Sequence, residues 1–361
     1  MTAPAAFRWR IEVNRDVTLR RRALCLSALL LVASILCGLL LVAAGADPVL
    51  ALAALTKGAF GTLHATTETL VRATPLIFTG LAAAVAFRAR VWNIGAEGQV
   101  FAGAICAYGF SHGLAGLSPV VQLPVVLAGA MIGGAAYAGL AGVLKTAFRV
   151  DEVISTVMLN YIIVYVLSML LLKGPWSEAG GFFEQTAKVD PGSVLPVILP
   201  GSRLHLGFPL ALLAALFVQL TVARTPLGFE IRGAGSNLRA LQVQGASAAR
   251  IFVMVMVLSG LLAGLAGATE VYGVHDRLKA GAIAGFGYTG IVVAILGGLR
   301  AWGVVAAALF FGALVNGATY MQIKTGVPSA LIYAFEAIIL LSYLAGWACA
   351  GLRIRRVGDA L

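Results

Sequence analysis

The sequence predicts an all-α protein that crosses a membrane about ten times and has both termini in the cytoplasm. Apolar residues make up 60% of the 361 positions and charged residues only 11%, whereas a soluble domain carries about 25% charged residues. A water-soluble core of this size cannot bury so many apolar side chains, so lipid must solvate much of the surface. Long Leu, Ala, Val and Gly runs satisfy their backbone in hydrocarbon as helices rather than as alternating barrel strands.

Ten apolar segments are long enough to be membrane spans. Residues 1–23 are expected to form a basic N-terminal segment in the cytoplasm. The span that follows is too long for the apolar part of a cleaved signal peptide. We interpret residues 24–350 as one transmembrane domain and residues 351–361 as a cytoplasmic tail. The predicted spans are 23–46, 74–90, 98–117, 120–145, 153–172, 206–223, 251–272, 283–299, 301–319 and 329–350.

The positions of Lys and Arg predict the orientation of these spans. If the N-terminus is cytoplasmic, inside segments hold eighteen of the 26 Lys and Arg residues and outside segments hold eight. Because cytoplasmic loops are enriched in these residues, both termini are expected inside. In this orientation 224–250 is a cytoplasmic segment and 173–205 is an outer loop. Basic residues spread over short loops in this way argue against a nucleic-acid-binding protein.

Nothing in the sequence predicts catalysis or a bound metal. The P-loop pattern needs Gly before its Lys-Ser/Thr pair, but Leu144 and Ile323 precede the two such pairs here. The four cysteines lie in or beside apolar runs without the spacing of metal ligands. We therefore expect no enzyme activity and no cofactor in this chain, so that any ATP hydrolysis would take place in another chain.

Glycine is abundant, with 43 residues. Small-x-x-x-small pairs permit close packing of membrane helices; they include Gly129 with Gly133 and Gly260 with Gly264. A G-x-G-x-x-G pattern begins at Gly285. It follows no predicted strand, so it favours a close-packed or broken membrane helix over a dinucleotide site.

The stretch RARVWNIGAEGQ at 88–99 places Asn93, Glu97 and Gln99 between two apolar runs. Polar residues inside a membrane usually face a cavity or a protein partner because their burial in lipid is unfavourable. One interpretation is a membrane helix broken near its glycines. The other is a cytoplasmic turn, in which a neighbouring arginine neutralises Glu97 and water solvates it.

Glu336 lies deep within another predicted span. A carboxylate at this position should face protein or a water-filled path. Pairing with a polar group of another helix, such as Asn316 or Asn160, and contact with a transported substrate are both compatible with its position.

The cytoplasmic segment 224–250 contains a predicted short helix. Ser236-Asn237 provides an N-cap and Gly245 provides a stop. The helix is expected to lie across the membrane face. Two interpretations of the segment remain open. It is either a solvated loop held by lipid headgroups, or a projection that docks into a groove of a soluble motor subunit.

Four stretches within roughly residues 58–345 together resemble a known family. They are GAFGTLHATTETLVRATPLIFTGLAAAVAFRARVWNIGAEGQ, DEVISTVMLNYI, GSNLRALQVQGASAARIFVMVMVLSGLLAGLAG and GFGYTGIVVAILGGLRAWGVVAAALFFGAL. They are similar to membrane permeases of bacterial ABC importers for branched-chain amino acids, ribose-type sugars and nucleosides. The similarity is greatest to the nucleoside and simple-sugar branch, which basic-membrane-protein-type lipoprotein receptors serve.

This resemblance implies roles for particular residues. The ATPase-coupling helix would comprise Asn237, Leu238, Ala240, Leu241, Gln242 and Gly245. Leu238 stands where the family commonly has proline, and Leu241-Gln242 stands where it commonly has Ala-Arg. Candidate residues of the substrate path are Asn93, Glu97, Gln99, Asn160, Tyr161, Phe286, Tyr288 and Glu336.

The resemblance also implies a mechanism and partners. Two permeases, expected here to be different chains, would enclose a path in the bacterial cytoplasmic (inner) membrane. A lipoprotein receptor would deliver substrate, and cytoplasmic ATP-binding subunits carrying ATP and Mg would drive alternating access. A nucleoside is the expected substrate, with a simple sugar such as ribose as the alternative. A secondary transporter coupled to ions is a further alternative, although such proteins place ionisable residues in several spans.

Overall fold

The computed structural model describes residues 8–13, 18–114, 116–172, 174–178, 183–279 and 281–357. Their regular secondary structure consists of helices, one short pair of strands and two isolated β-bridges. In chain order the elements are β1 (Arg8–Val13), α1 (Leu19–Ala43), α2 (Pro48–Phe60), α3 (Leu63–Arg88), α4 (Ala96–His112), α5 (Pro119–Phe148), α6 (Glu152–Leu172), α7 (Gly207–Arg224), α8 (Pro226–Val243), α9 (Ala248–Glu270), α10 (Phe286–Leu296), α11 (Ala301–Thr325), α12 (Leu331–Gly351) and β2 (Leu352–Val357).

The all-α membrane fold is confirmed. Among the described residues, eight helices are long and apolar enough to cross a membrane: α1, α3, α5, α6, α7, α9, α11 and α12. Each of the ten predicted spans overlaps a helix. Two of these spans overlap shorter helices. Helix α4 has 17 residues and α10 has 11, fewer than the roughly 20 residues that span a bilayer.

Two of the helical stretches outside the predicted spans lie in the first quarter of the chain. Helix α3 begins at Leu63 rather than at residue 74. Its first turns hold Thr67, Glu68 and Thr69, all of them buried, so hydropathy underestimates a helix whose polar side chains face protein. Helix α2 occupies a segment predicted as a connection, and its 13 residues are too few for a span.

The chain divides into two compact units. The terminal unit comprises Met1–Ala54 and Ala318–Leu361, and the central unit comprises Leu55–Gly317. In the terminal unit α1 packs on α12, where Gly346 faces Leu26. Strands β1 and β2 pair antiparallel, from Arg8 opposite Val357 to Val13 opposite Leu352. This short ribbon was not predicted from the sequence.

Helix α9 lies at the centre of the central unit, in contact with α3, α4 and α5. Gly260 and Gly264 of α9 lie directly on backbone atoms of α5 at Gly134 and Ala130, and Gly264 also lies against Gly103 of α4. A Cβ at Gly264 would overlap the Ala130 carbonyl oxygen. The predicted packing role of this glycine pair is therefore confirmed.

The connection between α6 and α7 packs against the segment that follows α9. The Thr186 backbone N–H donates to the Leu278 carbonyl oxygen at 3.1 Å. Glu178 forms an ion pair with Arg277. This guanidinium, together with the Gln185 side chain, holds the pKa of the Glu178 carboxyl below its ordinary value.

Candidate functional site

Helix α4 begins in the middle of the helical bundle. Residues 89–95 between α3 and α4 are not helical, and Asn93 within them is fully buried. The Asn93 side-chain amide donates to the Ser259 hydroxyl at 2.9 Å. Ser259 is the central residue of α9, a helix long enough to span the membrane. The segment before α4 therefore lies beside the middle of α9.

Asn93 and Gln99 form a reciprocal amide pair that stabilises this break. Each side-chain NH₂ donates to the other residue's carbonyl oxygen at 3.0 Å. The Asn93 oxygen also accepts the Gly95 N–H at 2.9 Å, and Ser259 donates to the Ala82 carbonyl at 2.8 Å. These direct hydrogen bonds join the irregular segment to α3 and α9.

Glu97 caps the N-terminus of α10. Its two carboxylate oxygens accept the backbone N–H groups of Gly285 at 2.5 Å and Gly287 at 2.7 Å, and the Tyr288 backbone also interacts with it. These N–H groups have no partner inside the helix, and the positive end of the helix dipole favours a carboxylate there. A Cβ at Gly287 would overlap the Glu97 backbone, so the close approach requires glycine.

The position of Glu97 corrects one interpretation of the sequence. Only 4% of its surface is exposed, and the ion pairs found among the described residues do not include it. The expectation of a solvated Glu97 neutralised by a neighbouring arginine is therefore wrong. The break in the helical path after Arg88 carries its polar residues into the protein interior, where backbone N–H groups take the place of water.

Asn160 of α6 connects the two interrupted helices. Its oxygen accepts the Gly98 N–H in the first turn of α4 at 2.8 Å. Its NH₂ donates to the Ile94 carbonyl at 3.0 Å and to the Tyr288 hydroxyl at 3.2 Å. The structure therefore brings five of the eight candidate path residues into one group, here called the polar cluster: Asn93, Glu97, Gln99, Asn160 and Tyr288.

The polar cluster reaches the surface of the central unit at aromatic side chains. Tyr288 is 43% exposed and Tyr161 is 57% exposed, while Phe286 is half-buried. Tyr161 follows Asn160 near the middle of α6. The remaining candidate, Glu336, is a buried residue of α12 in the terminal unit.

Helix α8 is divided at Asn237, whose backbone is not helical (φ −154°, ψ 92°). The Asn237 side-chain oxygen accepts the Ala240 N–H at 3.1 Å, as an N-cap does. Gly245 ends the segment with φ +91°, a conformation that favours glycine. The predicted start and stop of the short helix thus agree with the structure. A longer helical part precedes it, beginning at Pro226.

A cavity of about 500 Å³ lies beside the division in α8. The Ser236–Arg239 region borders one side of it, and Ala89–Val91 of the turn after α3 borders another. Gly235 lies directly against the carbonyl oxygen of Arg88. The divided helix is therefore in contact with the segment that leads to Asn93.

Comparison with known proteins identifies the family. Residues 65–344 match the family model described as branched-chain amino acid transport system, permease component. The chain belongs to this permease family. It is 38% identical to the guanosine ABC transporter permease protein NupP of Bacillus subtilis over 82% of this chain and 85% of that protein.

Two further relatives carry different names. The permease is 33% identical to the glucose ABC transporter permease protein TsgB13 of Haloferax volcanii over 84% of this chain and 82% of that protein. It is 30% identical to the nucleoside ABC transporter permease protein NupB of Lactococcus lactis over 84% and 85%, respectively. No solved structure matches.

These comparisons make the chain a multi-pass membrane ABC permease, a transport component that is not itself the ATPase. The family also implies an ATP-binding subunit and a substrate-binding protein as partners. Membership therefore favours the ABC permease over the ion-coupled secondary transporter.

Sequence reasoning missed two residues of this permease that the geometry brings into view. Ser259 bonds to Asn93, but a single serine within an apolar run gives no signal of its own. Tyr165 is 73% exposed one helical turn after Tyr161. A pattern of Tyr residues four apart in a span could have indicated this second aromatic position.

Proposed function

We propose that the permease, together with a second and different permease chain, encloses a path by which a nucleoside enters a bacterial cell through the cytoplasmic membrane. A lipoprotein receptor delivers the nucleoside from outside, and cytoplasmic subunits bind ATP and Mg. Closure of these subunits on ATP switches the path between outward and inward openings. The names of the guanosine and nucleoside permease relatives support the choice of substrate.

One observation carries the position of the path. Tyr161 lies near the centre of a membrane-spanning helix, yet more than half of its side chain is exposed. Tyrosine is normally placed at the membrane–water interface, where its hydroxyl meets water. At mid-depth a lipid-facing hydroxyl would lack a partner. A path between two permeases gives Tyr161 and Tyr165 polar surroundings instead.

The chemistry of this surface suits a nucleoside. Aromatic rings of Tyr161, Tyr288 and Phe286 offer faces on which a base can stack, which contributes about 1–3 kcal/mol per base. The Asn160 amide lies beside them, bonded to the Tyr288 hydroxyl, and can exchange that bond for one to a base or ribose. Asn93, Gln99 and Glu97 would then support this surface from inside the protein rather than contact substrate.

The segment from Asn237 to Gly245 is proposed as the contact with the ATP-binding subunit. The excess of Lys and Arg in the segments on its side of the membrane supports a cytoplasmic position, and with it cytoplasmic termini. Gly235, two residues before this segment, contacts the turn at Arg88, which supports a route by which movement of α8 reaches Asn93. In this arrangement the permease receives mechanical work without its own nucleotide site.

A simple sugar is the second candidate substrate, because the relative from Haloferax volcanii is named a glucose permease. Uptake of labelled guanosine, adenosine, uridine and ribose by a strain lacking this gene separates the two. Loss of nucleoside uptake that the plasmid-borne gene restores is the expected result. Loss of ribose uptake with normal uptake of all three nucleosides would exclude the nucleoside proposal.

A further inference from the structure

Glu97 places a carboxylate directly behind the proposed substrate surface. Tyr288 connects the two, because its backbone interacts with the Glu97 carboxylate and its side chain is exposed. Both Glu97 oxygens accept backbone N–H groups, and hydrogen bonds of this kind favour the charged form of a carboxylate. In its ionised form Glu97 places a negative charge one residue away from the proposed path.

This charge is only partly balanced. Among the described residues, the ion pairs do not involve Glu97. The N-terminus of α10 contributes the equivalent of roughly half a positive charge. The carboxylate also occupies the backbone N–H groups that would otherwise attract an anion to this end of the helix. Glu97 itself therefore fills the anion-binding end of α10, and its residual negative charge opposes the approach of a second anion to the proposed surface.

We propose that Glu97 is a specificity-determining residue that excludes phosphorylated solutes and leaves the path to uncharged ones. The inference rests on the proposed nucleoside path and adds discrimination between a nucleoside and its nucleotide. Like charges roughly 8 Å apart in protein surroundings repel enough to change affinity by about tenfold or more. A neutral nucleoside meets no such repulsion, so aromatic and amide contacts decide its affinity.

The test measures binding of guanosine and guanosine 5′-monophosphate to the purified transporter without its receptor. Wild-type protein is expected to bind guanosine at least tenfold more tightly than the monophosphate. Glu97→Gln removes the charge and should reduce this ratio by about tenfold, whereas Glu97→Asp keeps the charge and should keep the ratio. Glu184→Gln, at an exposed position of the loop between α6 and α7, is the control for the same chemical change.

A ligand series on wild-type protein keeps the test decisive if Glu97→Gln fails to assemble. 5′-Amino-5′-deoxyguanosine is positively charged, and the expected order of affinity is this amine, then guanosine, then the monophosphate. Equal affinity of wild-type protein for guanosine and the monophosphate, or an unchanged affinity ratio in Glu97→Gln, would overturn the role of Glu97. Absence of guanosine binding by wild-type protein would instead contradict the proposed nucleoside path.

Discussion

Gly235 of α8 lies against the carbonyl oxygen of Arg88, with no room between them for a side chain. This contact joins the part of α8 that directly precedes the proposed ATPase-coupling segment to the turn before the polar cluster. Only five residues further along the chain, Asn93 bonds to Ser259 at the centre of α9. A displacement of α8 can therefore reach the middle of the bundle through one short stretch of backbone.

A side chain at position 235 should disturb this connection. Gly235→Ala places a methyl group on the Arg88 carbonyl and is expected to lower transport per ATP hydrolysed several-fold. The measurement is the ratio of solute uptake to ATP hydrolysis in proteoliposomes. Gly139→Ala in α5 is the control for the same change, because its methyl group meets only the Val257 side chain, at an ordinary contact distance of 3.4 Å. An unchanged ratio in Gly235→Ala would remove the proposed route.

Asn160 should be required for the stability of the two interrupted helices. Asn160→Leu keeps the approximate volume but leaves the Gly98 N–H and the Ile94 carbonyl without their partner. An unsatisfied buried polar group costs about 1–3 kcal/mol, so thermal unfolding in detergent should occur at a lower temperature. Asn160→Asp retains the acceptor for the Gly98 N–H, so its unfolding temperature should lie between those of the wild type and Asn160→Leu. Unfolding of Asn160→Leu at the wild-type temperature would show that these bonds contribute little.

Close packing of α9 on α5 predicts a strong effect at Gly264. Gly264→Val would overlap backbone atoms of Ala130 and Gly134, and overpacking of this kind typically costs 1–3 kcal/mol or more. We expect a lower yield of folded permease by size-exclusion chromatography. Gly38→Ala in α1, where a Cβ meets nothing within 4 Å, should fold normally. Normal yield of Gly264→Val would mean that α9 can move away from α5 at little cost.

His205, in the connection before α7, predicts a dependence of stability on pH. It is 1% exposed, its Nδ1 accepts the Gly207 N–H, and burial lowers its pKa to about 4. The unfolded chain, with a histidine pKa near 6.5, binds the proton more readily between pH 6.5 and 4. The free energy of unfolding should therefore fall by up to roughly 3 kcal/mol as the pH decreases through this window.

The variant His205→Asn checks this assignment, because its side-chain oxygen can replace Nδ1 as the acceptor for Gly207. Thermal unfolding of the variant should depend less on pH between 6.5 and 4 than unfolding of the wild type. If wild type and His205→Asn showed the same dependence of unfolding temperature on pH, titratable groups other than His205 would be responsible for it.

The sequence predicted most membrane helices because their apolar runs match the thickness of a bilayer. The prediction of helix bounds was wrong where a helix buries polar side chains against protein, as at Thr67 and Glu68 of α3. Neither hydropathy nor local spacing could predict that Glu97 caps α10, because the two elements are far apart along the chain. The start at Pro226 was detectable, since Thr225 and Pro226 form a typical N-cap and first helical residue.

Local residue types predicted the ends of the short helix in α8 better than they predicted the roles of the substrate-path residues. Asn237 and Gly245 perform the capping roles that their residue types indicate. Within the polar cluster, the sequence suggested polar residues facing substrate, whereas Asn93 and Gln99 bond to each other. Which partner a buried amide finds depends on the packing of distant helices.

The most direct test is ATP-dependent uptake of labelled guanosine into proteoliposomes that contain the permease pair and the ATP-binding subunit, with receptor added outside. We expect accumulation that requires internal ATP and falls at least tenfold in Tyr161→Ala/Tyr288→Ala, while basal ATP hydrolysis persists. Guanosine accumulation at the wild-type rate in that double variant, or accumulation of ribose but not guanosine by the wild type, would contradict the proposed nucleoside path.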